Sequence, residues 1–506
     1  MFQNFSFDKI PELLKYNPND PLFFSAALFL FFFFAVLLFY NLFSKNKNAR
    51  IFLLIIFSLY FYYKVVGFYF AILIVSAVFN FYLTKWMSTY ENFTKKRLVL
   101  VLILIINLGI LGYFKYTNFI LEIFNDITKG NIEPLAIFLP IGISFYTFKS
   151  LNYVFDVYLD TLKPAESLRD FCLFLFFFPN LLAGPIDRAS EFLPQINKEP
   201  FISKSDLGKA VFLIAAGLFK KVVIADYISL NYVDRIFDFP LRYTGLENLI
   251  AVYGYALQIY CDFSGYSDMA IGIALLLGFK LMDNFNSPFK ATSVADFWRR
   301  WHISLSKWLL DYLFRPIQFK YRNLRVYGNM IAVFITFLLC GLWHGAGWNF
   351  ILWGALHGFF MSFALLVQKP KNTLYTKLGI INTGKPSLRE KFLKFFQVII
   401  TFHLVAFSFL VFRANDISMV GEVLSQIFNF FHGEIISQFI EKLPLISVLI
   451  VLGYVFHFMP LPVENKMKNL IAEMPWFGKA LILATAIWIA AQFKSANIQP
   501  FIYFQF

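Results

Sequence analysis

Apolar stretches long enough to cross a bilayer recur throughout this chain, and they leave it few ways to fold. Backbone N–H and C=O groups in a hydrocarbon core find no water, so a spanning segment must satisfy them within itself. As a helix, a crossing of the ~30 Å core takes about 20 residues. Runs of suitable character lie at roughly 22–44, 51–84 (two crossings joined near Lys64–Gly67), 98–114, 135–159, 170–184, 206–226, 246–279 (a broken pair), 329–347, 348–368, 393–412, 445–462 and 477–493. They predict an all-α polytopic membrane protein with about 11–13 membrane-embedded helices. Segments 115–128, 296–315 and 418–431 read as amphipathic helices lying in the interface. No fixed-period self-similarity points to an inverted-repeat transporter, and no linker divides residues 1–506, which read as a single integral membrane unit.

Composition agrees. Charged residues make up 15% of the 506, where soluble domains carry about a quarter, and 69 phenylalanines exceed what a water-exposed surface bears. The net charge of +14 gathers in short loops between apolar runs, as the positive-inside rule predicts, so no nucleic-acid partner is inferred. Lys45, Lys47 and Arg50, then Lys95, Lys96 and Arg97, and the loop Lys369 to Lys394 are expected on the cytoplasmic side, with the N-terminus outside. No cleavable signal is visible, so the first span is expected to be retained. Cys172, Cys261 and Cys340 have neither disulfide nor zinc spacing.

Charges within apolar stretches are costly and call for a reason. Asp262, Ser264 and Asp268, in Tyr260-Cys261-Asp262-Phe263-Ser264-Gly265-Tyr266-Ser267-Asp268, predict a helix break lining a polar cavity. The two carboxylates either cap that break or pair with Arg299 or Arg300, or they share in chemistry. Pro179 and the pair Gly184-Pro185 interrupt a second run, and Asp187 and Arg188 follow.

The richest stretch runs from Asp296 to His357. Apolar residues at 298, 301, 305, 308, 309 and 312 predict one helix whose polar stripe is Arg300, Ser304, Lys307 and Asp311, with His302 turned inward. A basic loop follows (Arg315, Lys320, Arg322, Arg325), then a span ending at Trp343-His344-Gly345-Ala346-Gly347-Trp348. Gly345 and Gly347 are expected to thin the wall around His344, giving a bulky ligand access to its imidazole. His357 either supports the site by hydrogen bonding or packs between helices; His403, His432 and His457 read as packing or interface residues. No metal-ligand spacing, Gly-x-Ser-x-Gly elbow or phosphate-cradling glycine loop is present. What remains is an unhydrated, neutral imidazole suited to removing a hydroxyl proton, with a donor already activated, as a thioester is.

At Phe297-Trp298-Arg299-Arg300-Trp301-His302-Ile303-Ser304-Leu305-Ser306 and Gly341-Leu342-Trp343-His344-Gly345-Ala346, the chain resembles the membrane-bound O-acyltransferase family, in its bacterial branch that O-acetylates alginate and peptidoglycan. Ala183-Gly184-Pro185-Ile186, residues 262–270, Phe412-Arg413-Ala414 and the ending Gln499 to Phe506 extend the match. The resemblance implies His344 as catalytic base and His302 as the second motif residue, in a central tunnel. Asp262, Ser264, Asp268, Trp298, Arg299, Arg300, Trp301, Trp343 and Asn349 are expected to line or support that tunnel. Arg315, Lys320 and Arg322 are candidates for the phosphates of coenzyme A or an acidic carrier, or are ordinary positive-inside charge. It further implies a multi-pass protein of the bacterial inner membrane, with no permanently bound cofactor and no metal. Acetyl-coenzyme A or another acyl thioester would serve as donor, and a periplasmic or membrane-anchored partner would complete O-acetylation of an exported polysaccharide. D-alanyl transfer to teichoic acid, and non-catalytic transport of the acyl group or glycan, are the alternatives.

Overall fold

A computed structural model describes residues 10–377, 387–493 and 501–502. The ending Gln499 to Phe506 therefore lies outside the described residues except at Phe501 and Ile502, and so does part of the loop Lys369 to Lys394. The described residues are helical and contain no strand. Among the described residues, six helical stretches are long and apolar enough to cross a membrane: Lys47–Met87, Phe93–Thr128, Val326–His344, Trp348–Pro370, Leu388–Arg413 and Trp476–Phe493. A seventh arises if Gly433–Lys442 and Pro444–His457, bent by 102°, form one broken span. The chain is an all-α, multi-pass membrane protein.

Several expected crossings are shorter helices. The run 170–184 becomes Leu168–Phe176 and Phe178–Leu181, about 14 Å and 6 Å long at 1.5 Å per residue. Phe171 and Leu173 through Phe178 are each at most 2% exposed, so that run is apolar because protein surrounds it. The run 135–159 is helical only over Ile143–Tyr158, and 206–226 divides into Lys204–Leu218 and a wider π-type stretch, Phe219–Asp226. Conversely, 115–128 is no separate interfacial helix; it continues the 36-residue helix Phe93–Thr128, started by Asn92, whose side chain accepts from the Thr94 and Lys95 amides at 2.9 and 3.1 Å. The expected junction near Lys64–Gly67 is real: Gly67, at φ +61°, ends Lys47–Val66 before Phe70–Met87 begins.

Chain contacts fall into two compact units. One comprises the chain to Leu218, Tyr266–Met282 and the stretch from Lys468; the other comprises Phe219–Gly265, Asp283–Met467, Phe501 and Ile502.

In the first unit, the irregular segment 178–188 is organised by a buried polar chain. The Lys149 ammonium, fully buried, donates to the Phe174 carbonyl (2.7 Å) and to Asn180 Oδ1 (2.9 Å). Asn180 Nδ2 donates to Asp187 Oδ2 (2.6 Å), and the Met282 amide donates to Asp187 Oδ1 (3.2 Å). Lone pairs left by the broken backbone thus find partners within protein, as a segment without water requires. Lys149→Met, which leaves the far carboxylate without its cation, is expected to cost about 3–5 kcal/mol, seen as a lowered unfolding midpoint in detergent.

Candidate active site

The second unit carries the two motif histidines. The expected single helix over 296–315 is instead two: Val294–Trp298 and Ile303–Leu309, followed by the π-type turn Leu310–Phe314 and Arg315–Lys320. Ser293 starts the first, accepting from the Asp296 amide (3.1 Å), while Asp296 Oδ2 accepts from the Thr292 amide (3.2 Å). Chain continuity fails at His302, which is left-handed at φ +42°, ψ +55°. A non-glycine residue there costs about 1–2 kcal/mol, so neighbouring contacts must hold it.

They come from residues 284–286. The Asn284 carbonyl accepts from the Ile303 amide (2.9 Å), and the Asn286 amide donates to the Arg300 carbonyl (2.9 Å), zipping the two segments together. Asn284 Oδ1 takes the Ser304 amide (3.2 Å), the Ser304 hydroxyl (2.9 Å) and His302 Nδ1 (3.1 Å). Because the Ser304 N–H can only donate, the amide orientation of Asn284 is set, and His302 Nδ1 must carry the proton it shares with that oxygen. The neutral imidazole therefore keeps its lone pair on Nε2. Ser304, expected on the polar outer stripe, is fully buried because its hydroxyl belongs to this cluster, whereas Lys307 is exposed as expected and Leu305, Trp308 and Leu309 are buried.

His344 closes the spanning helix Val326–His344. Its ring meets Trp343, Trp353 and Phe412 edge-on, with centroids 4.9, 5.1 and 5.3 Å away. Trp343 also lies 6.4 Å from the His302 ring, so one indole neighbours both histidines. His344 keeps 5% of its surface accessible and His302 none. The glycines do not open the wall as expected: a Cβ on Gly345 would lie 2.1 Å from the Phe350 ring, and one on Gly347 2.6 Å from Asn349 Oδ1. Their missing side chains are replaced by neighbours, as is usual in close-packed interiors. Asn349 Nδ2 donates to the Ala414 (2.9 Å) and Phe412 (3.4 Å) carbonyls, fixing the segment that brings Phe412 to His344.

His357 is a hydrogen-bonded support as well as a packing residue. Trp298 Nε1 donates to its Nδ1 (3.2 Å), leaving Nε2–H to meet Ser408 Oγ (2.9 Å), which donates to the Val405 carbonyl (2.7 Å). Direction along this chain is fixed by the indole, which only donates. Trp301 stacks on Phe297 (5.5 Å, 20°) and meets Phe409 at 5.2 Å. His403 Nδ1 bonds the Ile399 carbonyl (2.8 Å), and His457 Nε2 accepts from the Phe289 amide (3.0 Å), in keeping with packing roles; exposed His432 lies 2.9 Å from Glu434.

The intramembrane carboxylates sit on an unbroken 32-residue helix, Gly245–Leu276, and not at a break. Asp262 pairs with Lys221 (2.5 Å), which also holds Asp226 (2.8 Å), and Asp262 Oδ2 accepts the Ile502 amide (2.7 Å). Compensation by a cation removes the need to open the helix. Arg299 and Arg300, the partners expected for it, pair with Asp296 at 3.7 and 3.2 Å. Ser264 accepts from Lys220 Nζ (3.1 Å), and Asp268 belongs to the first unit. Arg315, Lys320 and Arg322 make local contacts: an Asp311 carboxylate at 2.7 Å and the rings of Tyr321 and Phe319 at 5.5 and 4.2 Å. Cavities of about 620 and 510 Å3 lie along Leu356–Leu424 in this unit and around Arg50 in the other, and neither histidine lines them. Among the described residues, no cluster of side chains has the makings of a metal site.

Asn284, Ser408, Trp353 and Phe412 escape a linear reading because each meets its histidine only across the fold. Lys221 does leave a signal, a lysine pair within an apolar run. Asn284→Ala strands three donors, at about 1–3 kcal/mol for each left unsatisfied, and is expected to lower the unfolding midpoint. It should also release the His302 tautomer, read from the 15N shifts of labelled histidine.

A model of the membrane-bound O-acyltransferase family matches residues 165–370. The peptidoglycan O-acetyltransferase of Helicobacter pylori is 36% identical over 433 residues, 80% of this chain and 78% of that protein. The probable alginate O-acetylase AlgI of Pseudomonas aeruginosa is 36% identical over 420 residues, 80% and 75%. The teichoic acid D-alanyltransferase of Bacillus subtilis is 31% identical over 284 residues, 54% and 69%. With the two histidine motifs on one helical membrane scaffold and relatives of this similarity, the chain belongs to the membrane-bound O-acyltransferase family and is an O-acyltransferase.

Proposed function

We propose that this enzyme O-acetylates an exported polysaccharide, an alginate-like polymer or peptidoglycan, from the bacterial inner membrane. The donor is acetyl-coenzyme A or another acetyl thioester arriving from the cytoplasm, and a periplasmic or membrane-anchored partner completes delivery. The observation that carries the reading is that the rings of both motif histidines lie against Trp343, with centroids 6.4 Å away for His302 and 4.9 Å for His344. Coverage favours acetyl over D-alanyl transfer: the acetylase relatives match 80% of the chain and the D-alanyltransferase 54%. Family membership sets aside a purely transporting role.

In the proposed step, His344 takes the proton of an acceptor hydroxyl while the hydroxyl oxygen attacks the thioester carbonyl. As the C–S bond breaks, the imidazolium returns the proton to the leaving sulfur; an ester and a thiol result, and the histidine is restored. As a neutral imidazole His344 can accept that proton. His302, its Nδ1–H committed to Asn284, offers Nε2 to orient the acceptor. Trp298, Trp301, Trp343 and Asn349 hold the aromatic frame, Asp262 and Ser264 fix the neighbouring helix, and Arg315, Lys320 and Arg322 offer charge to the donor's phosphates. The rings around His344 must part to form the tunnel along which donor and acceptor meet.

In proteoliposomes with labelled acetyl donor, His344→Ala is expected to lower kcat by about 10²–10⁴, the usual worth of a general base. Transfer at the wild-type rate would remove it from the chemistry. His302→Gly suits the left-handed backbone, so the variant should fold, and a lowered rate in it reports the missing imidazole. Supplying the coenzyme A thioester and a carrier-protein thioester separately identifies the donor.

A further inference from the structure

The first unit contains a second polar site, which neither motif histidine lines. Its cavity of about 510 Å3 opens where the helix Ala27–Leu42 ends and the helix Lys47–Val66 begins, and Tyr40 and Arg50 line it from the two sides. Arg50 is only 6% exposed, although it stands in the first turn of an apolar, span-length helix. Its guanidinium lies 5.6 Å from the Tyr40 ring centroid. The guanidinium interacts with the Tyr40 hydroxyl, but its Nε meets no hydrogen-bond acceptor, and no carboxylate approaches it within ion-pair distance, among the described residues. A buried arginine with an unanswered donor is costly, and such a residue at the end of a membrane segment implies a ligand that supplies the missing acceptor.

The remaining walls narrow the choice. Lys198, Lys280, Glu191 and Glu199 also line it, and the Lys280 ammonium is turned to Asp206 at 3.4 Å, so Glu191 and Glu199 keep their charge toward the cavity. Gln195 holds the wall in place: its Nε2 donates to the Lys280 carbonyl (3.0 Å), and its Oε1 accepts the Lys280 amide (2.8 Å). Gly278, at φ +80°, lets this segment pass so close to Pro200 that a Cβ would lie 2.9 Å away. The site is therefore preformed, and it presents both signs of charge over an apolar floor that includes Leu54 and Phe279. A bare phosphate would answer Arg50 but crowd the two glutamates. A headgroup carrying an ammonium beside its phosphate answers both, and the first methylenes of its acyl chains suit the floor.

We propose that this cavity binds an aminophospholipid, with the phosphate against Arg50 and the ammonium toward Glu191 and Glu199. The lipid would then seal the junction of the first two long helices, independently of transfer chemistry.

The test uses the full-length protein in nanodiscs of equal phosphatidylethanolamine and phosphatidylglycerol, with retained lipid counted by native mass spectrometry after release into mild detergent. Phosphatidylethanolamine is expected to be retained about tenfold over phosphatidylglycerol, and Arg50→Gln to lower that retention about tenfold, the worth of one charge-assisted hydrogen bond. Glu191 and Glu199 are exposed and safe to change, so the double variant Glu191→Gln/Glu199→Gln decides the matter even if Arg50→Gln does not fold. It should reverse the preference toward phosphatidylglycerol. Equal retention of the two lipids by the wild type, or phosphatidylethanolamine retention unchanged in either variant, overturns the proposal. Displacement of the lipid by inorganic phosphate alone overturns the lipid as occupant.

Discussion

One amide oxygen governs the geometry of the first motif histidine. Asn284 Oδ1 receives a backbone N–H, a hydroxyl and an imidazole N–H from residues 302–304, and the backbone of the same loop pairs with that of residues 300 and 303. These bonds hold a left-handed histidine that would otherwise relax, and they decide which of its nitrogens can accept a proton. The short helix before the break and the turn after it then place Trp298 and Trp301 on the aromatic frame that continues through Trp353 and Phe412 to His344.

The same demand, that no polar group go unanswered away from water, explains most of what is irregular here. Lys149, Asn180 and Asp187 satisfy one broken segment; Lys221 neutralises Asp262 and Asp226. Where a partner is available, the backbone stays regular, as in the unbroken helix Gly245–Leu276. Where an aromatic donor needs an acceptor, a histidine supplies it, as His357 does for Trp298. Imidazole therefore serves two purposes in this protein, one structural and one proposed to be chemical, and directional hydrogen bonds distinguish them.

Much of the scaffold was legible from the order of residues alone. Helices and their spans follow from apolar run length, since a membrane leaves the backbone no other local solution. His344 at a span end also followed from position; His302 is buried as expected, but through its bond to Asn284 and not through helical periodicity. Run length misled where protein surrounds a helix as thoroughly as lipid would, as at Leu168–Phe176, because apolarity records the absence of water and not its cause.

What the fold alone decided was partnership. The choice of Lys221 over Arg299 for Asp262, of Asn284 for His302, and of Phe350 to fill the space beside Gly345 joins residues far apart along the chain. The break at His302 belongs to the same class: local spacing favoured a continuous helix, and the bonds to residues 284–286 outweighed it. Sequence determined which groups had to be buried, through the energetics of a medium without water. Tertiary structure determined which groups answered them, because a hydrogen bond is set by position and direction in space, and those exist only once the helices have packed.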